Sequence, residues 1–258
     1  MSEAEELAQR LKPWSSGAIV ERRLPSGTRS AVWAVRIGGR RYVARQTRRR
    51  EEDLDWELDL LRHLKACGLR VPRPLTTGDG RHSVDGLFLL EWLDGVAPIT
   101  PAQWREVAAA LADLHAATLG WPQRPGFAAS TELLNRTGGG DVDLAAMPED
   151  VVGLLRSAWA PLAGLPMSVV HGDPHAGNLR MAEEGVGLLD WDEARVDVSM
   201  LDFSDLPPHA VPHIPEFPPD PLRVAGDAWE VATSWNLEPE YARHRLATLT
   251  QRLGRLAT

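Results

Sequence analysis

The hydrophobic period of the chain changes partway along its length, and that change limits the folds open to it. Between residues 31 and 46, two short segments rich in β-branched and aromatic side chains, 31–37 and 40–46, flank Gly38 and Gly39. Two such segments joined by a glycine pair are the pattern of a β-hairpin. Over residues 50–66 the period becomes helical, with Leu54, Leu58, Leu61 and Leu64 along one stripe and Gly68 ending it. A further strand pair follows, clearest at 87–92. After Gly95 the pattern is mostly helical: 101–118, 131–135, 149–159, 222–235 and 239–256 read as helices, and only 168–170 and 186–189 as short strands. A helix over 3–12 precedes everything, with Ser2 and Glu5 at capping-box spacing and Pro13 ending it. The pattern predicts an α+β chain of two lobes. Residues 1–93 form a strand-rich lobe with an inserted helix, and 94–258 a mainly helical lobe, with the hinge near 91–95.

A chain of 258 residues buries about 70–75% of its unfolded surface, so it needs no staple. The single cysteine, Cys67, excludes an internal disulfide and a cysteine-rich zinc site. No apolar run approaches the ~20 residues of a membrane span. The first ten residues are acidic and polar, unlike a signal peptide, so a cytoplasmic location is expected. The net charge of −8 argues against general nucleic-acid binding. It is unevenly spread: residues 1–93 hold 17 basic and 13 acidic side chains, and 94–258 hold 11 and 23. Only Lys12 and Lys65 are lysines, so chemistry that needs a cation falls mainly to arginine. Seven prolines between 207 and 221 exclude regular structure there.

The stretch His171-Gly172-Asp173-Pro174-His175-Ala176-Gly177-Asn178 follows an apolar strand, and Leu188-Leu189-Asp190-Trp191-Asp192 follows another. Phosphoryl transfer to a hydroxyl needs a carboxylate to orient and deprotonate it, and oxygen ligands for a Mg²⁺ ion that neutralises the phosphates. Asp173 is the candidate for the first role, Asn178 and Asp190 for the second. The bland reading is a polar turn with capping carboxylates, which does not explain two such clusters at this separation.

HGDPHAGN followed by LLDWDEA resembles the signature of the aminoglycoside phosphotransferase and choline kinase-like family. The resemblance implies a bilobal protein kinase-like fold and ATP-dependent phosphorylation of a small-molecule hydroxyl. It makes Asp173 the catalytic base and Asn178 and Asp190 the Mg²⁺ ligands. By the same resemblance His171 braces the loop, His175 belongs to the motif without an assigned role, and Asp197 and Asp202 hold the loop from behind. Asp192 approaches either the metal or the loop backbone, and both remain open. His115 is familiar from the family but is equally explained by packing.

The first lobe is consistent with this reading. Arg45, on the strand 42–45, can grip phosphate oxygens. Glu57 lies within the apolar stripe of its helix, where a carboxylate is costly without a cationic partner, and Arg45 is the natural one. Ser26, Gly27 and Thr28 form a short loop able to cover phosphates, and the hinge around Glu91 and Leu93 is expected to meet the adenine. Arg48, Arg49 and Arg50 read as a solvated helix entrance, and Glu51, Glu52 and Asp53 as charges on its solvated face. Two other functions compete. His171, Asp173 and His175 could belong to a metallohydrolase cluster, or the chain could bind nucleotide without transferring phosphate. The acidic second part favours a cationic acceptor.

Overall fold

The structure, a computed structural model, describes residues 2–25, 30–211 and 219–256. It divides into two compact units: Met1–Val96 with Arg180–Asp192, and Ala97–Leu179 with Glu193–Thr258.

The first unit opens with α1 (Glu3–Arg10), held by the reciprocal Ser2/Glu5 capping box. Five antiparallel strands follow the order β1 (Ile19–Arg23), β2 (Ser30–Ile37), β3 (Arg40–Thr47), β6 (Leu87–Glu91), β4 (Pro74–Leu75), and β5 (Ser83–Val84) also pairs with β6. α2 (Glu51–Ala66) lies between β3 and β4 in the chain. Register assigns the sheet faces. Ala44 stands opposite Trp33 and Leu89, and these join Leu7 and Leu11 in one core cluster. Arg45 stands opposite Val32 and Phe88, so alternation turns it to the face away from α1.

A single cut at residue 93 is therefore not how the chain divides. The hairpin of Leu179–Ala182 and Gly185–Leu188 belongs with the first unit. Val96 and Met181 exchange backbone hydrogen bonds of 3.1 and 2.7 Å, and the Leu188 N–H donates to the Arg70 carbonyl at 3.0 Å. At Gly95, an added Cβ would lie 2.6 Å from the Met181 carbonyl oxygen, so the close approach requires glycine.

The second unit is mainly helical: α3 (Pro101–Ala117), α4 (Glu149–Trp159), α5 (Pro219–Ser234) and α6 (Pro239–Leu256). α5 begins inside the stretch 207–221, whose prolines predict no regular structure, because proline is tolerated in a helix's first turn, where the N–H groups have no intrahelical partner. Thr100 and Gln103 form a capping box at the start of α3. The expected helix at 131–135 is a single 3₁₀ turn, Glu132–Leu134, because five residues before a glycine run cannot offset helix nucleation. Strands Met167–Val170 and Arg195–Val198 pair antiparallel. No helix among the described residues is long and apolar enough to cross a membrane.

Candidate active site

In the first unit, three carboxylates gather around Arg45. Its Nη2 lies 2.8 Å from Asp190 Oδ1 and 3.3 Å from Asp192 Oδ1, and its Nη1 lies 3.6 Å from Glu57 Oε1. Nε donates to Ser30 Oγ at 3.2 Å. Arg45 is 5% exposed and Glu57 2%. Burial alone would lower the guanidinium pKa, but Asp190, Asp192 and Glu57 outweigh it and push the pKa up. The strand cation and the helix carboxylate meet, as a carboxylate within an apolar stripe requires.

The reading of 48–53 as solvated needs correction for two residues. Arg49 Nε is 3.5 Å from Asp192 Oδ1 and 4.0 Å from Asp53 Oδ2. Asp53 is 4% exposed, because it lies on the buried side of the first turn of α2. Asp192 is likewise buried between the two arginines. Asp190 differs: its side chain is 49% exposed and its φ is +60°, a left-handed conformation uncommon outside glycine, asparagine and aspartate.

The other first-unit candidates lie apart from this cluster or outside the description. Glu91 ends β6 opposite Tyr42, with Oε2 3.4 Å from Lys65 Nζ and its N–H donated to Arg73 O. Leu93 lies against Gly187. Ser26, Gly27 and Thr28 fall outside the described residues.

In the second unit, the strand Met167–Val170 delivers the motif loop. Asn178 Nδ2 donates to the Asp173 carbonyl at 3.0 Å and to Asp173 Oδ2 at 2.9 Å. His171 is fully buried, and its Nδ1 accepts from the Asp173 N–H at 3.3 Å. His175 Nδ1 accepts from the Gly177 N–H at 2.9 Å, capping the short turn Ala176–Asn178 that presents Asn178. Gly172 has φ +89°, and an added Cβ would lie 2.7 Å from the Glu193 carbonyl oxygen, so only glycine fits.

Asp202, 1% exposed, holds the loop from behind. Its carboxylate accepts from the His171 and Gly172 N–H groups at 2.8 and 2.9 Å, and meets His115 Nε2 at 2.8 Å. Burial would raise its pKa, but His115, His171 and the Gly172 amide together draw it below the usual carboxylate range. His115 is thus a working part of the loop support. Asp197 does not hold this loop. Strand alternation turns it to Ser130, whose Oγ donates at 2.6 Å, and to Arg195 Nε at 2.9 Å.

Each unit, taken by itself, offers an oxygen of the kind a hard divalent cation takes. In the second, Asn178 directs both Nδ2 hydrogens to Asp173, leaving Oδ1 as its remaining donor atom; in the first, Asp190 gives Oδ1 to Arg45, leaving Oδ2. Mg²⁺ takes few protein oxygens and completes its shell with phosphates and water. The metallohydrolase alternative has less support. Both motif histidines direct Nδ1 at loop amides, and no group of three or more His, Cys, Asp or Glu among the described residues is placed to hold a metal.

The family model described as a phosphotransferase enzyme family matches residues 20–247. The chain belongs to this family. Homoserine kinase of Methylobacterium sp. (strain 4-46) is 31% identical over 172 residues, 60% of this chain and 52% of that protein. Homoserine kinase of Rhizobium johnstonii is 30% identical over 169 residues, with the same coverage. The aligned part spans about half the length of these curated relatives. Among solved structures, aminoglycoside phosphotransferase APH(4)-Ia superposes with TM-score 0.70 at 14% identity, covering 97% of this chain and 98% of its own. Choline kinase LicA from Streptococcus pneumoniae gives 0.68 at 15%, covering 98% and 99%. A microcompartment-associated aminopropanol kinase gives 0.66 at 18%, covering 97% and 95%. The phosphotransferase family fold, protein kinase-like with a sheet-rich N-terminal region and a helical C-terminal region, is thus the fold of this chain.

Proposed function

We propose that the chain transfers the γ-phosphate of ATP to a hydroxyl of a small, amine-bearing molecule. The observation that carries this is the Asp173–Asn178 pair on a loop braced by Asp202, in a member of the phosphotransferase family. Asp173 accepts the proton of the acceptor hydroxyl as its oxygen attacks the γ-phosphorus. The bond from the γ-phosphorus to the bridging oxygen breaks, and ADP leaves. Asn178 Oδ1 and Asp190 Oδ2 are the proposed metal ligands, and Mg²⁺ when bound supplies charge neutralisation on the phosphates. Arg45 grips phosphate oxygens with its planar fork, and Glu57 keeps that fork in place.

Arg45 and Glu57 therefore act on one step, the placing of nucleotide. Arg45→Ala and Glu57→Ala should each lower kcat/KM for ATP, and the double variant should lose less than the two losses combined. Fully additive losses would show that the residues act independently.

A metabolic amino alcohol is favoured over an antibiotic as acceptor, because the sequence relatives are homoserine kinases. The amine is favoured by a recess of about 20 Å³, room for one water-sized group, where the carboxylates Asp202, Asp205 and Glu230 outnumber Arg195 beside Gly172 and Trp229. Burial pushes the Glu230 carboxyl up to about 7, with Glu193 and Asp205 adding to the effect, while the Tyr241 hydroxyl donates to its Oε2 at 2.9 Å. A carboxyl with a raised pKa gains its negative charge only as pH rises through that value. KM for a cationic acceptor should therefore fall as pH rises across 7, and Glu230→Gln should flatten that dependence. A pH-independent KM in the wild type would remove Glu230 from acceptor binding.

ADP release measured across homoserine, choline, aminopropanol, aminoglycosides, neutral sugars and macrolides tests the acceptor class. The expected substrates are amine-bearing alcohols, with KM rising as salt screens the attraction. Turnover of neutral acceptors only, at a salt-independent KM, would overturn the charge argument and leave phosphotransfer standing.

A further inference from the structure

The segment that presents Asp190 is anchored on both sides of that residue. Before it, Leu188 supplies its carbonyl to the indole N–H of buried Trp191 at 3.2 Å. After it, Arg49 meets Asp192 twice: Nε lies 3.5 Å from Oδ1, and Nη2 donates to the main-chain carbonyl at 3.3 Å. Arg49 is itself fixed. Its N–H donates to Thr47 Oγ1 at 3.0 Å, its side chain is 14% exposed, and Asp53 stands 4.0 Å away. Between these anchors Asp190 holds φ +60°, with its carboxylate half-exposed and Oδ1 on Arg45 Nη2. Aspartate adopts this conformation more readily than most residues, and the contacts on either side hold it there.

We propose that Arg49 is a positioning residue that clamps the Asp190 turn. By gripping both the side chain and the main chain of Asp192, it fixes the backbone two residues beyond Asp190 and so aims the Asp190 carboxylate. It also shares the charge of Asp192 with Arg45. Without Arg49, Asp192 leans on Arg45, the turn relaxes, and Asp190 loses its aim. The grip needs a fork: a lysine keeps the charge but cannot reach both oxygens from one planar group. The inference rests on Asp190 as a metal ligand.

The test is the affinity of a non-hydrolysable ATP analogue, measured by calorimetry with and without Mg²⁺. It compares the wild type with Arg49→Gln, Arg49→Lys and Asp190→Ala. The quantity read is the gain in affinity that Mg²⁺ brings. Groups that orient metal ligands typically change metal affinity by 10–100-fold. Arg49→Gln should therefore cut the gain by about tenfold or more, Arg49→Lys by an intermediate factor, and neither should change metal-free affinity by more than about threefold. An intact gain in either variant, or equal losses with and without Mg²⁺, overturns the clamp. Should Arg49→Gln not fold, Arg49→Lys decides alone. A gain abolished by Asp190→Ala but intact in the Arg49 variants refutes the clamp and keeps Asp190 as ligand. A gain that survives Asp190→Ala overturns both.

Discussion

Replacing Asp173 by alanine should lower phosphate transfer by ~10²–10⁴-fold, the usual cost of a lost general base, while Mg²⁺-dependent nucleotide binding persists. The geometry explains the split. Asn178 Nδ2 is held by the Asp173 side chain and also by the Asp173 main-chain carbonyl. Alanine removes the first bond and keeps the second, so Asn178 stays near its place while the proton acceptor is gone. Comparing kcat with the nucleotide dissociation constant checks this. Transfer at the wild-type rate would show that another group takes the proton.

Asp202→Ala should have the largest effect on stability. The wild-type carboxylate serves three buried or partly buried donors, the His171 and Gly172 N–H groups and His115 Nε2. Each donor left unpaired costs about 1–3 kcal/mol, so a loss of about 3–5 kcal/mol is expected, typical of breaking a buried charge pair. Urea unfolding should show it as a lower midpoint with an unchanged slope. The pH dependence follows from the depressed pKa of Asp202. Its contribution is present above the unfolded carboxylate pKa and is lost as pH falls through the folded value. The wild type should therefore lose stability over that acidic window more steeply than the variant. A midpoint unchanged by Asp202→Ala would contradict the bracing role.

Much of this was legible because it rests on local pattern. The Gly38-Gly39 hairpin, the leucine stripe of α2 and the capping boxes depend on residues a few positions apart. Glu57 was legible for a different reason: a carboxylate within an apolar stripe demands a cation, and Arg45 stood on the adjacent strand. Asp173 and Asn178 were read from five residues of spacing.

What the sequence hid depends on contacts between distant segments. Arg49 sits in a run of three arginines that looks solvated, and only Asp192, 143 residues later, draws it inward. Asp53 shares that fate. His115 occupies the buried face of α3 with Leu111 and Leu114, and a histidine in an apolar stripe carried the same signal as Glu57. Asp197 and Asp202 are five residues apart and read alike, yet Asp197 lies on a strand and Asp202 on the following 3₁₀ turn, so their side chains serve different partners. The 179–188 hairpin joins the first unit through Arg70 and Val96, contacts that no local period encodes.

In the proposed reaction the γ-phosphoryl group moves to a small amine-bearing alcohol and Asp173 takes the proton. The most direct measurement is a single-turnover reaction with γ-labelled ATP, excess enzyme and an amino alcohol acceptor identified by ADP release. It is run with and without Mg²⁺, and with Asp173→Ala in parallel. The predicted result is label on the acceptor hydroxyl, only with Mg²⁺ present, and slower by at least two orders of magnitude in the variant. Label that stays on bound ATP with every acceptor, or that reaches the acceptor equally fast in Asp173→Ala, would contradict the account.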